Sequence, residues 1–162
     1  MYLTYEEYAA IYDTMPAKDF DRLNFEACHH IDRLTAGVDG VKKLKVAFPV
    51  DEDSSAAVKR CAAHIVNLLY QIQEAEKSAS SGRGFTETEN GLHGKVVSSV
   101  TAGNESISYA VGNSAKTSID KAVSDRNERI KLLRETVREY LSGVTDANGV
   151  NLLYMGVYPY VV

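Results

Sequence analysis

The feature that most constrains the fold is an apolar run from Ser55 to Ala75, SAAVKRCAAHIVNLLYQIQEA. Its larger apolar residues recur at steps of three and four, the spacing of one face of an α-helix. These positions are Val58, Cys61, Ala62, Ile65, Leu68, Leu69 and Ile72. So wide a stripe, with small alanines beside it, predicts a central helix that neighbouring helices contact from two sides.

Two helices are expected before this central helix. Thr4 and Glu7 have the spacing of a capping box, which predicts a short helix from Tyr5 to about Tyr12. A second helix is expected from about Ala17 to Thr35, where apolar residues again recur at helical spacing and Gly37 would end the helix.

One long helix is expected after the central one, from about Ser118 to Leu141, with Gly143 as its stop. Basic and acidic residues alternate along it, which is typical of a solvated face or a subunit contact. Together with the formal net charge of -4, this pattern argues against a protein whose main task is to bind nucleic acid.

Two segments lack the helical pattern. Residues 82–111 form a Ser-, Gly- and Glu-rich stretch followed by partial two-residue alternation around Gly103-Asn104, which predicts a loop and a β-hairpin arm over Lys95 to Val111. The tail, residues 149–162, contains no Asp, Glu, Lys or Arg. An apolar tail without charge is costly to leave in water, so we expect it to be extended and held against another surface.

These patterns predict a mainly α fold in a single domain, residues 1–162. Three long helices and a short N-terminal helix would form a small bundle, carrying the 82–111 arm and the 149–162 tail. No run approaches 18 consecutive apolar residues, so no membrane contact is expected. The N-terminus lacks the basic start and apolar centre of a signal peptide, and two cysteines suit a reducing cytoplasm.

Tyrosine is concentrated at the two ends of the chain. Tyr2, Tyr5, Tyr8 and Tyr12 lie near the start, and Tyr154, Tyr158 and Tyr160 lie near the end. Tyrosine gives a large contact area and keeps a polar tip, so the ends are candidates for docking, either against the body of the chain or against another subunit. With the arm and the tail, the hypothetical interface comprises Tyr2, Tyr5, Tyr8, Val97, Val100, Ile107, Tyr109, Leu152, Leu153, Tyr154, Val157, Tyr158 and Tyr160.

Residues that could carry chemistry have simpler explanations. Cys28, His29, His30 and Asp32, with Cys61 and His64, could supply zinc ligands from two facing helices. Cys61, however, lies within the apolar stripe, where free cysteine behaves as a small hydrophobic residue. A Cys–His nucleophile would also need an orienting group and an oxyanion site, and the sequence indicates neither. We therefore expect no catalytic residue, metal or cofactor.

The order of the segments resembles a known family. The stretches YLTYEEY, HIDRLTAG, VKRCAAHIVNLLYQ, SVTAGNESISYA, REYLSG and NLLYMGV follow one another from the N-terminus to Val157. Together they resemble the head–tail connector proteins, also called adaptor or head-completion proteins, of siphophage-like bacteriophages and prophages. The N-terminal stretch and the serine-rich hairpin before the last helix carry most of the resemblance.

The resemblance implies a structural virion protein without catalytic activity. It would form a homo-oligomeric ring, usually of twelve copies, that docks on the portal and leads to stopper or tail-completion proteins. Duplex DNA would pass through without sequence-specific binding. The location would be the virion neck, after assembly in the cytoplasm of the bacterial host. By the same resemblance, residues 82–111 and 151–162 are the expected contacts.

Three other classes remain open from the sequence. The main alternative is a small helical protein-binding or regulatory module, either antitoxin-like or a tail-assembly partner, which would give a small oligomer. A DNA-binding regulator would need a basic recognition helix. A small hydrolase would need a reactive cysteine or histidine.

Overall fold

The computed structural model describes residues 1–12, 14–80, 85–88, 91–94, 99–102, 105–108 and 117–159. It is mainly helical, as predicted. The helices are α1 (Tyr5–Ala9), α2 (Ala17–Thr35), α3 (Lys43–Val46), α4 (Glu52–Ser80), α5 (Ser118–Ser124) and α6 (Arg126–Leu141). The chain, expected as one domain, divides into two compact units, Met1–Tyr70 with Lys131–Val162 and Gln71–Ile130.

Helix α4 contains the predicted central helix and is longer at both ends. The Ser54 N–H donates to Asp51 Oδ2 at 2.8 Å, so the helix begins before Ser55, and it continues to Ser80. The apolar stripe is buried as predicted. Within the first unit, Val58 and Ile65 belong to one apolar core with residues of α1, α2, α3 and α6.

The two N-terminal helices agree closely with their sequence signals. The capping box at the start of α1 is present, with the Glu7 N–H donating to Thr4 Oγ1 at 3.3 Å, although α1 ends at Ala9 rather than near Tyr12. Helix α2 has the expected bounds. The predicted role of Gly37 as its stop is wrong: the C-cap is Ala36 in an extended conformation.

The predicted single helix from Ser118 to Leu141 is two helices, α5 and α6. Asp125 interrupts them with an extended backbone, φ −135° and ψ 122°. Its Oδ1 accepts the Asn127 N–H at 2.7 Å, so Asp125 starts α6 as well as ending α5. Helix α6 ends at Leu141, and Gly143 takes the left-handed conformation, φ 79°, as expected of a helix stop.

Four short strands are described between α4 and α5. Strands β1 (Phe85–Thr88) and β2 (Gly91–Gly94) pair antiparallel where a loop was expected. Strands β3 (Ser99–Ala102) and β4 (Glu105–Ser108) also pair antiparallel, with Val100 opposite Ile107. This second pair agrees with the expected hairpin, whose two turn residues, 103 and 104, lie outside the described residues.

Candidate interaction surfaces

The N-terminal tyrosines pack against their own chain. Tyr8 is completely buried, so the expectation that it contacts another protein is wrong. Tyr5 is half-buried and donates its hydroxyl to the Met15 carbonyl at 3.2 Å. Tyr2 is half-buried and donates to the Asp32 carboxylate. These side chains hold the N-terminal segment against α2, which leaves little of them available for docking.

A buried lysine holds the start of the tail. Lys43 is fully buried on α3, and its Nζ donates to the Leu152 carbonyl at 2.9 Å and the Asn151 carbonyl at 3.3 Å, and also to the Tyr154 carbonyl. Burial lowers the pKa of Lys43, against the opposing effect of Asp146 and other nearby acid charge. The first turn of the tail therefore surrounds the Lys43 ammonium group.

Two carboxylates hold the far end of the described tail. Asp39 Oδ2 accepts the Tyr158 N–H at 2.6 Å, and such backbone donors lower the pKa of Asp39. Asp146 Oδ2 accepts the Tyr158 hydroxyl, also at 2.6 Å, inside the protein. The tail is thus pinned, as expected, and the surface that pins it is its own chain. Tyr158 and Leu152 are buried there, so their predicted role as external contacts is wrong.

Next to these buried anchors, the tail presents an apolar surface to solvent. The Val38 N–H donates to the Met155 carbonyl at 3.0 Å, which joins the segment between α2 and α3 (residues 36–42, the α2–α3 connector) to the tail. Val38 is 77% exposed, Met155 57% and Val157 64%. With half-exposed Tyr154 these residues form the tail patch. Leu153, by contrast, is half-buried against the core. Several exposed apolar side chains in one short region are typical of a protein contact.

The remaining predicted contacts fall outside the described side chains. Val97, Tyr109 and Tyr160 are not among the described residues. Val100 and Ile107 are described only by their paired backbones in β3 and β4. For the arm of residues 82–111, the proposed contacts stay predictions.

A second surface is a groove along α2, which we call the α2 groove. It has a volume of about 390 Å³. Its apolar lining includes Met1 and Phe25, and its charged lining consists of Asp32, Lys42 and Lys45. Asp32 is buried at the floor, and Lys45 Nζ lies 3.6 Å from its Oδ2. Pockets of this size that combine apolar walls with a few charged groups are common binding sites.

Of the candidate metal ligands, Cys61, His64 and Cys28 are accounted for by other contacts, whereas the buried Nδ1 of His30 has no hydrogen-bond partner among the described residues. Cys61 is buried in the core, and burial raises the pKa of its thiol to about 12. The Tyr12 hydroxyl lies 2.7 Å from His64 Nδ1, and burial lowers the pKa of His64. Cys28 Sγ lies 3.5 Å from Asn24 Oδ1. In the described part of the chain, no group of three or more His, Cys, Asp or Glu side chains could hold a metal ion.

The sequence did not identify the α2 groove or the α2–α3 connector half of the tail patch. Phe25 carried a usable signal, because it is an aromatic residue outside the apolar stripe of α2. In the structure its side chain is 70% exposed. Val38 carried none, since its exposure depends on how the α2–α3 connector meets the tail. Lys43 looked like one more exposed lysine among its neighbours.

No protein-family model, curated protein or solved structure matches this chain. Among the described residues, no helix has the length and apolar character needed to cross a membrane.

Proposed function

We propose that this chain is a structural head–tail connector, or adaptor, of a siphophage-like particle. Copies of it would form a ring that docks on the portal and links the DNA-filled head to stopper or tail proteins in the virion neck. The proposal rests on the order of sequence stretches and on the helical bundle. Duplex DNA would pass through the ring without sequence-specific binding.

The structural observation that supports a portal contact is the tail patch. Its apolar side chains are exposed, while Lys43 and Asp39 hold the tail backbone and Asp146 holds the Tyr158 hydroxyl. A patch held in place loses little conformational entropy when a partner covers it. Such a surface suits a permanent joint in an assembly, and we assign it to the contact with the portal.

The proposal assigns no catalytic step to this chain. Cys61 has the raised thiol pKa of a core residue, and thiols with high pKa values are poor nucleophiles near neutral pH. The Asp32 carboxylate is engaged with Tyr2 and Lys45. The mechanism is mechanical: surfaces join rings, and the joined rings leave a passage for DNA.

The test is binding to the portal protein encoded in the same genome. Substituting Met155→Ser together with Val157→Ser changes only exposed side chains, whereas removing the tail would strip Leu152 and Tyr158 from the core. We expect this pair to weaken portal binding at least ~10-fold, as loss of a central apolar contact does. Val46→Ser, at an apolar position of α3 that is 50% exposed, is the matched control.

Portal binding that is equal for the parent, the tail-patch variant and the control would contradict the assignment of the tail patch. No binding by the parent chain would contradict the connector function itself. In that case a small oligomer that persists in the presence of portal would favour the protein-binding or regulatory module, for which the α2 groove provides a surface.

A further inference from the structure

The α2 groove is an open site with uncovered apolar walls. Met1 is 74% exposed and Phe25 is 70% exposed, although both line a concave surface. Two lysines accompany one carboxylate. Lys45 lies near Asp32, while Lys42 has no carboxylate partner among the residues described. The groove therefore carries excess positive charge beside apolar surface.

The same chain carries a segment with the complementary chemistry. Val50 is 86% exposed and is followed directly by Asp51, Glu52 and Asp53, all exposed, at the start of α4. The Asp51 carboxylate accepts the Ser54 N–H at the start of α4, and this donor lowers the pKa of the Asp51 carboxyl. Glu52 and Asp53 have no cationic partner in the described part of the chain.

We propose that the α2 groove of one copy receives the Val50–Asp53 segment of a second copy. Val50 would lie between Met1 and Phe25, and the acidic side chains would face Lys42 and Lys45. The groove and the segment are each open on the same molecule. Pairing between copies would cover both apolar surfaces and match their charges.

This contact deepens the proposed connector function, on which it rests, by naming the surfaces that join neighbouring copies. The contact pairs two different surfaces, and in the head-to-tail arrangement a bound pair keeps one free segment on the first copy and one free groove on the second. Head-to-tail contacts close into a ring when the rotation between copies permits. Exposed ion pairs are weak and screened by salt, so the association should weaken as salt rises.

Two variants test the two sides of the contact. A groove variant carries Phe25→Ser and Lys42→Glu, and a segment variant carries Glu52→Lys and Asp53→Lys. A second segment variant, Glu52→Gln with Asp53→Asn, avoids placing positive charge at the start of α4, where it would oppose the helix dipole. All four positions are exposed, so the fold should persist. Circular dichroism and thermal unfolding check that it does.

Sedimentation equilibrium and native mass spectrometry measure self-association of the full chain as its concentration rises. We expect the parent to associate and each variant alone to associate at least ~10-fold more weakly. An equimolar mixture of the groove and segment variants should form a 1:1 complex, because one intact groove meets one intact segment. A control with Lys18→Glu and Asp21→Lys, two exposed charges elsewhere on α2, should behave as the parent.

Three results would overturn the inference. The parent chain could stay a 17.8 kDa monomer at every concentration up to about 1 mM. Its dissociation constant would then exceed about 1 mM, an affinity too low for a useful contact. The variants could associate as well as the parent, or their mixture could fail to pair. If the groove variant loses portal binding but keeps self-association, the groove serves a foreign partner instead. Self-association through the groove without any portal binding would support this contact while refuting the connector function.

Discussion

Lys43→Met removes the buried ammonium group and keeps a side chain of similar length. The Leu152 carbonyl is buried, and losing its donor leaves it unsatisfied at a cost of about 1–3 kcal/mol. The carbonyls of Asn151 and Tyr154 are partly buried, and each lost bond costs about 1 kcal/mol because water can replace the donor. Removing the ammonium group also removes the cost of burying its charge, which offsets part of this sum. The net loss in the free energy of unfolding is then about 2 kcal/mol.

Urea denaturation followed by circular dichroism measures this loss directly. For a chain of this length, about 2 kcal/mol corresponds to a fall of roughly 4–8 °C in melting temperature. Amide exchange should also accelerate at Leu152, whose N–H donates to the Val144 carbonyl at 2.9 Å. Lys42→Met, at the exposed neighbouring position, is the control and should change stability by less than about 0.5 kcal/mol. If Lys43→Met matches this control in both measurements, Lys43 does not hold the tail.

Three further changes probe the same unit. Tyr158→Phe removes the hydroxyl that donates to Asp146 at 2.6 Å and should lower the free energy of unfolding by about 1.5 kcal/mol in the same urea assay; an unchanged midpoint would contradict that anchoring role. Gly37→Ala places a Cβ against a tail carbonyl and should cost at least about 2 kcal/mol, whereas a stable variant would show that the α2–α3 connector and tail are not in such close contact. Because burial lowers the pKa of His64, folding favours its neutral form, so its contribution to stability should be complete above about pH 6.5 and fall as the pH drops toward the folded-state pKa. Burial also lowers the pKa of His30, so in a pH series of urea titrations His64→Gln should reduce this dependence and leave the part due to His30.

Local patterns were enough to predict the helices. The stripe from Val58 to Ile72 follows from helical geometry alone, and the capping box at Thr4 is a contact between near neighbours in sequence. The break at Asp125 was also locally encoded. Asp125 and Glu128 have the spacing of a helix start, but the apolar periodicity on both sides suggested one continuous helix.

The candidate surfaces were harder to predict because they depend on contacts between distant residues. Lys43 is buried by carbonyls more than 100 positions away, and nothing in its own neighbourhood signals this. The sequence left open whether the tyrosines at the ends contact the body of the chain or another subunit, and Tyr8 and Tyr158 are buried in their own chain. Amphipathic residues mark a surface that will be covered, and only the fold decides what covers it.

Native mass spectrometry of the chain with the portal protein of the same genome tests the connector proposal most directly. The proposal predicts a complex in which many copies of the chain join one portal ring, and loss of that complex when Met155 and Val157 are both replaced by Ser. A chain that stays monomeric or forms only a small oligomer in the presence of portal would contradict it.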